Sequence, residues 1–334
     1  MARLIDSPKF VAVHLKRSLS DPRAHQYVFR GYDPPISSPN FWGAKLDGSC
    51  NGLLCVEYAY TGIILWNPWV RRFVKVPYSQ FQSKSSRGPV SHGFGYDDTT
   101  DDYKVVRLDD TTEDCKGPWF DPYGSRCGIQ LYSLKSNSWR KPPTLPCSFS
   151  STVRGRAGVL VNRAFHRIVN GGGILAIDLR TEEYRLMEKP KFLERNYWCW
   201  ELGSLDGCLC LFPKEFPLPS SLASFSAGIW VMKDYGIEDS WTHLSLQASS
   251  AGYSSAMGPI GYAEGKTQLV LQNDQGDVLW YDIRNSELVG SSKFPGSSGV
   301  KEGYSCVASL VLPYGGGGNA MKCTQADIIS DVWS

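Results

Sequence analysis

Four aspartates, Asp97, Asp98, Asp101 and Asp102, make the densest acidic group in the chain, within Asp-Asp-Thr-Thr-Asp-Asp. Carboxylates this close are what a calcium loop uses. Such loops also need a glycine for the sharp turn and a bidentate glutamate at the end. Neither is present here. Asp and Thr equally suit a hairpin turn, where their side chains bond the local backbone, and that is the reading adopted.

Five histidines (His14, His25, His92, His166, His243) and ten cysteines invite a search for zinc. No Cys-x-x-Cys occurs and no two histidines stand at ligand spacing. Cys208 and Cys210 fall on an expected strand, where small buried thiols are ordinary core residues. No Gly-x-Ser-x-Gly elbow marks a nucleophile. The acidic pairs Glu182-Glu183 and Asp101-Asp102 are adjacent, so they point to alternate faces. They do not converge as a glycosidase pair must. Gly171-Gly172-Gly173 lacks the Lys-Ser/Thr of a phosphate loop and reads as a turn. These residues predict no enzyme, no cofactor and no metal.

Aromatic residues remain as candidates for binding. Trp198, Trp200, Trp230, Trp241 and Trp280 recur next to turns, which predicts packing between sheets. Trp119, Phe120 and Tyr123 differ. They lie in the Gly- and Pro-rich insertion KGPWFDPYGSR, followed by Arg126. Loops on a rigid scaffold commonly carry recognition, and aromatics with arginine form interface hot spots. Trp119, Phe120, Tyr123 and Arg126 are therefore the expected protein-binding residues. The long stretch 213–227 is a second candidate.

The elements that must position these residues are mostly strands. Aromatics make up 13% of the 334 residues, and 33 Gly and 20 Pro are spread along the chain. That spread suits many short strands joined by tight turns. The net charge of +2, with both signs interspersed, offers no basic face for nucleic acid. No apolar run approaches the ~20 residues needed to span a bilayer, and the N-terminus lacks the apolar segment of a secretory signal. Chain length argues against a disulfide scaffold, and no Asn-x-Ser/Thr occurs. These features predict a reducing cytoplasmic or nuclear location.

Ser7-Pro8 reads as a helix start, and Phe10 to Leu19 follow helical spacing until Asp21-Pro22. So short a helix needs a surface to pack on. Beyond residue 25 one pattern recurs: an apolar strand, a polar turn, and a second strand. It appears in GIILWNPWVRRFVKVP, GFGYDDTTDDYKVVRL, IQLYSLKSNSWRKPPTLP, GILAIDLRTEEYRLMEKP, GIWVMKDYGIEDSWTHLSL and DVLWYDIRNSELVG. The residues just before the turns are Leu65, Tyr96, Tyr132, Ile177, Val231 and Tyr281, at gaps of 31, 36, 45, 54 and 50. Repeats of this length with period-two alternation point to an all-β, propeller-like array of small antiparallel sheets. Six occurrences predict about six blades. Residues 313–334 open on four glycines and read as a loose tail.

These repeats also resemble a known family. NPWVRRFVKVP, GFGYDDTTDDYKVVRL, LYSLKSNSWRKPP, IWVMKDYGIEDSW and YSCVASLVLP match, in order, the signatures of the plant F-box-associated domain, a kelch-like propeller group. Trp69 departs from the small or hydroxyl residue that follows Asn-Pro in that pattern. LIDSPKFVAVHL is similar to the tail of an F-box, while the F-box core is not found before it. The resemblance divides the chain into an F-box remnant over 1–24, a recognition domain over 25–312 and the tail. It implies a substrate-recognition subunit of an SCF-type cullin ubiquitin ligase. The implied partners are a protein target, a Skp-type adaptor and a cullin, with the adaptor contact weakened by the missing core. A ligase-independent interaction module is the alternative, and a glycan-active propeller enzyme a more remote one. Nucleic acid and membrane are not expected partners.

Overall fold

Strands that are apolar on both faces must be covered on both sides, and stacking small sheets around an axis achieves this. The computed structural model describes residues 8–20, 25–29, 45–58, 62–81, 90–109, 128–142, 158–169, 173–188, 200–213, 228–246, 257–273, 277–292, 303–313 and 321–322. Helix α1 (Pro8–Ser20) opens on Pro8. Val11 and Leu15 pack into the β-domain, while Phe10, Val13 and Leu19 face outward.

Strand β1 (His25–Phe29) precedes five four-stranded antiparallel blades. Blade 1 is β2 (Lys45–Cys50), β3 (Leu53–Tyr58), β4 (Gly62–Asn67) and β5 (Arg72–Val76). Blade 2 is β6 (Val90–Asp97), β7 (Asp102–Asp109), β8 (Gly128–Ser133) and β9 (Ser138–Arg140). Blade 3 is β10 (Val159–Val161), β11 (Ala164–Ile168), β12 (Ile174–Asp178) and β13 (Tyr184–Met187). Blade 4 is β14 (Trp200–Leu205), β15 (Cys208–Pro213), β16 (Gly228–Met232) and β17 (Trp241–Ser245). Blade 5 is β18 (Met257–Ala263), β19 (Gln268–Asn273), β20 (Val278–Asp282) and β21 (Glu287–Ser292). The chain ends on β22 (Gly303–Val307) and β23 (Met321–Lys322).

Five blades replace the six expected from the repeat. The reason lies in blade 2. Leu65, Tyr132, Ile177, Val231 and Tyr281 all sit on third strands, but Tyr96 sits on the first strand of blade 2. The hairpins GFGYDDTTDDYKVVRL and IQLYSLKSNSWRKPP are two halves of one sheet, joined by pairing of β7 with β8. The polar turns share one chemistry. Asn67, Asp178 and Asp282 each accept two backbone N–H bonds from residues two and three ahead. Arg71, Asn137, Glu182 and Ser286 then take positive φ to re-enter the fourth strand.

Apolar side chains fill the four junctions from blade 1 through to blade 5. Between blades 2 and 3, Val106, Leu108 and Leu131 meet Phe165, Leu175 and Ile177. Between blades 4 and 5, Cys210, Phe212 and Val231 meet Leu269, Leu271 and Tyr281. Trp139 spans the first junction: its indole N–H donates to the Pro77 carbonyl at 2.6 Å.

The first strands lie side by side around the axis, β2 to β6 to β10 to β14 to β18. Between β18 and β2 sits β22, paired antiparallel with β1, so the two ends of the domain close the ring. Within 313–334, read from sequence as a loose tail, β23 adds to the outer edge of β5. The buried Asn67 fastens this closure. Its amide donates to the Ser309 and Val311 carbonyls at 3.0 and 2.7 Å. Ser309 Oγ donates to the Asn51 carbonyl at 2.6 Å, and a side chain on Gly52 (φ +83) would strike Ser309 and Val307. Asn67→Ala leaves two buried carbonyls without a donor. We expect a loss of about 2–3 kcal/mol, read as a lower urea midpoint at unchanged m-value.

Strand alternation sorts the connections by end. Turns between first and second strands, and between third and fourth, emerge at one end and are short. Connections between second and third strands, and between blades, emerge at the other and include all the long ones.

Candidate functional site

The stretch 93–104 is the most heavily constrained part of blade 2. Gly93 and Gly95 lie on β6, where an added Cβ would run into Phe165 and Leu160 of blade 3. Phe94, between them, points to the opposite face and joins the core shared with blade 1. The acidic turn is occupied by local bonds. Asp97 accepts the Thr99 amide at 3.0 Å, both threonine hydroxyls, and the Lys104 ammonium at 2.8 Å. Lys104 is buried and also donates to the Leu179 carbonyl of blade 3. Burial pushes the Asp97 carboxyl up, but Lys104, Thr99 and Thr100 outweigh it and hold it well below the usual carboxylate range. Asp102 accepts Ser133 Oγ at 2.5 Å and the Lys135 amide at 2.8 Å, which ties the two hairpins of the blade. Asp101 accepts the Tyr96 hydroxyl at 2.6 Å, and Asp98 meets Arg163 at the surface. All four aspartates serve the turn and its neighbours.

A second polar group went unseen in the sequence. At the junction of blades 1 and 2, towards the end with the long connections, lie Lys45, Asp47, Glu57 and His92. Asp47 is the extra residue of a β-bulge between Leu46 and Gly48, and bulges re-aim side chains. Asp47 and His92 are fully buried. Asp47 Oδ1 stands 2.9 Å from the Lys45 ammonium, and Asp47 Oδ2 stands 3.1 Å from His92 Nδ1. Glu57 Oε2 is 3.6 Å from the same nitrogen. Burial pushes the Asp47 carboxyl up, but Lys45 and His92 outweigh it and hold it below the usual range. Burial also pulls the imidazole down, yet Asp47 and Glu57 prevail and raise it above its ordinary value.

Asp47, Glu57 and His92 offer three donors within 4.8 Å of one another, the right types for a divalent ion. The Lys45 ammonium already neutralises one carboxylate, and a protonated His92 balances the other. A divalent ion would compete with a cation already in place. The same balance weakens these acids as a glycan-cleaving pair. Their separation in sequence and the bulge that brings them together hide the group. An aspartate inside an otherwise apolar first strand is its one local signal.

Blades 3 and 4 share a third contact. Tyr235, from the turn after β16, meets the buried His166 at 2.7 Å between hydroxyl and Nε2. Arg185 lies over the Tyr235 ring, 4.9 Å from its centroid. Burial, aided by the Arg185 charge, lowers the His166 pKa to about 4, so this imidazole is neutral at pH 7.

Trp119, Phe120, Tyr123 and Arg126 lie outside the described residues, as do 214–227 and Trp198. Both candidate connections nevertheless join a second strand to a third. The first leaves β7 at Asp109 and rejoins at Gly128, and the other leaves β15 at Pro213 and rejoins at Gly228. They therefore spring from the same end of the propeller. Trp200 and Trp241 are buried between blades 3 and 4, with Trp230 packed against them. Trp280 packs on the face of blade 5 turned away from blade 4, against Ile260, Val270 and Val278. Cys210 is buried and unpaired, and burial pushes its thiol well up. Among the described residues no helix is long and apolar enough to cross a membrane.

Known proteins match this chain as follows. F-box protein CPR1 of Arabidopsis thaliana is 28% identical over 325 residues, covering 85% of this chain and 76% of its own length. F-box/kelch-repeat protein At3g23880 of the same plant is 25% identical over 251 residues, covering 72% of this chain and 64% of its own. F-box protein At4g22390, also from Arabidopsis thaliana, is 25% identical over 325 residues, covering 85% and 77%. The F-box associated beta propeller domain family matches residues 44–307. That span runs from the strand that carries the bulge to the strand that closes the ring, and the chain belongs to this family.

Proposed function

We propose that the protein is a non-enzymatic substrate receptor of an SCF-type ubiquitin ligase, holding a protein target on its propeller. The observation that carries this reading is the family match across residues 44–307, in relatives named as F-box proteins. The receptor raises the local concentration of its target beside the ubiquitin-charged enzyme, which is the effect of tethering. Recognition falls to the end with the long connections, through Trp119, Phe120, Tyr123 and Arg126. Two candidate connections spring from that one end, and rigid strands beneath loops are the usual frame for recognition. A Skp-type adaptor and a cullin are the ligase partners this reading implies, since the relatives are named as F-box proteins. A ligase-independent module would keep the target and never engage the adaptor. The receptor would act in the cytoplasm or nucleus, a reading supported by a chain long enough to fold without a disulfide scaffold.

Affinity capture from plant extract, followed by reconstituted ubiquitination of what is captured, tests the receptor reading. A captured protein that is modified only when this chain is present is the expected result. Captured proteins that are never modified would favour the ligase-independent module. Combined alanine substitution of Trp119, Phe120, Tyr123 and Arg126 should weaken target binding by about tenfold or more, which needs only about 1.4 kcal/mol from the four together. Undiminished binding by a folded variant sinks the loop assignment alone.

A further inference from the structure

Two carboxylates buried side by side are costly unless positive charge meets both. Asp47, fully buried, and Glu57, whose side chain is 13% exposed, come close to this where blade 1 meets blade 2. Lys45 answers one oxygen of Asp47. His92 Nδ1 answers the other and also faces Glu57, and it comes from β6, on the neighbouring blade. We propose that His92 is held as an imidazolium and acts as a proton-dependent clamp between the first two blades. Protonated, it ties β6 to β2 and β3. Deprotonated, it no longer offers either carboxylate a charge, leaves Lys45 to face Asp47, and loosens that junction.

The surroundings set the balance. Arg107 and Gln130 stand in register with His92 across β7 and β8, on the same face of blade 2. The Arg107 charge opposes protonation, as does burial, and the Gln130 amide is neutral. On β3, the Cys55 thiol is pushed far up, first by burial and then by Asp47 and Glu57, so it contributes no charge. Opposing these, two carboxylates lie 3.1 and 3.6 Å from one nitrogen. A group whose proton is held more tightly in the folded state stabilises fully below the free imidazole value of about 6.5. That stabilisation disappears as pH rises through the folded value. His166 behaves oppositely, since its lowered value of about 4 makes protonation on acidification destabilising. The chain should therefore lose stability on both sides of a maximum near neutral pH.

The clamp lies under the end where 110–127 leaves β7, two residues beyond Arg107, and rejoins β8, two residues before Gln130. Its test does not depend on what binds there. Imidazole C–H resonances of the full chain are followed by NMR from pH 4 to 9, with the His92 signal assigned by its loss in His92→Gln. The expected result is a His92 pKa above that of free imidazole, shifted down by Glu57→Gln. Urea stability should fall with rising pH above about 6.5 in the wild type and fall less steeply there in Glu57→Gln, which keeps Asp47 beside His92. If His92→Gln does not fold, the signal that moves in Glu57→Gln supplies the assignment. A His92 pKa at or below free imidazole, or one indifferent to Glu57→Gln, overturns the proposal. So does stoichiometric zinc uptake at pH 7 that displaces the His92 proton, which would make the cluster a metal site.

Discussion

Lys104→Met should destabilise the protein by about 3–5 kcal/mol, the range for removing one partner of a buried ion pair. The ammonium bridges Asp97 in its own blade to the Leu179 carbonyl in the next, and it faces Glu182 at 3.6 Å. Methionine fills a similar volume, so packing survives and the loss is electrostatic. Asp97 keeps its threonine partners but no longer has a cation. The pH profile identifies the cause. A carboxyl whose folded pKa is depressed stabilises above its unfolded value of about 3.9, and that contribution disappears as pH falls below it. Stability in the wild type should therefore drop steeply in acid, and Lys104→Met should flatten that limb. The double variant Lys104→Met with Asp97→Asn should recover part of the loss. A single-variant cost under about 1 kcal/mol would mean that the pair is hydrated like an exposed one.

Gly93→Val should be nearly as damaging, for a steric reason. The ring of Phe165 is fully buried, and side chains built on Gly93 of blade 2 or on Gly158 of blade 3 would both enter it. Overpacking of this kind costs about 1–3 kcal/mol and sometimes more. Phe165→Ala, which empties the same space, should cost about 3–5 kcal/mol. The two changes share one volume, so Gly93→Val with Phe165→Leu should cost less than the sum of its parts. A coupling of about 0.5–3 kcal/mol is the expected range. Strict additivity, measured by urea denaturation of all three variants, would show that the blades do not meet as described.

Much of this molecule could be read from its residues. Period-two alternation gave strands, and the polar residues between them gave the turns. Ser7-Pro8 marked the helix start. The blade number could not be read, because a hairpin within one blade and a hairpin between two look alike until pairing across residues 110–127 is known. The ion groups divide in the same way. Asp97 and Lys104 are seven residues apart and share one motif, so their closeness was visible. Asp47, Glu57 and His92 come from three strands and depend on a bulge, whose register shift leaves no mark in composition. Gly93 and Gly95 show as a pattern, but their role belongs to Phe165 and Leu160, side chains over sixty residues away.

Blade 1 is the first blade to be synthesised and the last to be finished. Its face bearing Leu46, Leu54, Val56, Ile64, Trp66 and Phe73 has Cys306 of β22 as its cover, and its outer edge receives Met321–Lys322. Chains grow from the N-terminus and fold as they emerge. While blades 2 to 5 stack in turn, this apolar face stays exposed until Gly303–Val307 of the 334-residue chain has left the ribosome. A growing polypeptide therefore presents a hydrophobic surface through most of its synthesis, a natural handle for chaperones. Any stop codon before residue 303 would make that exposure permanent and mark the product for disposal.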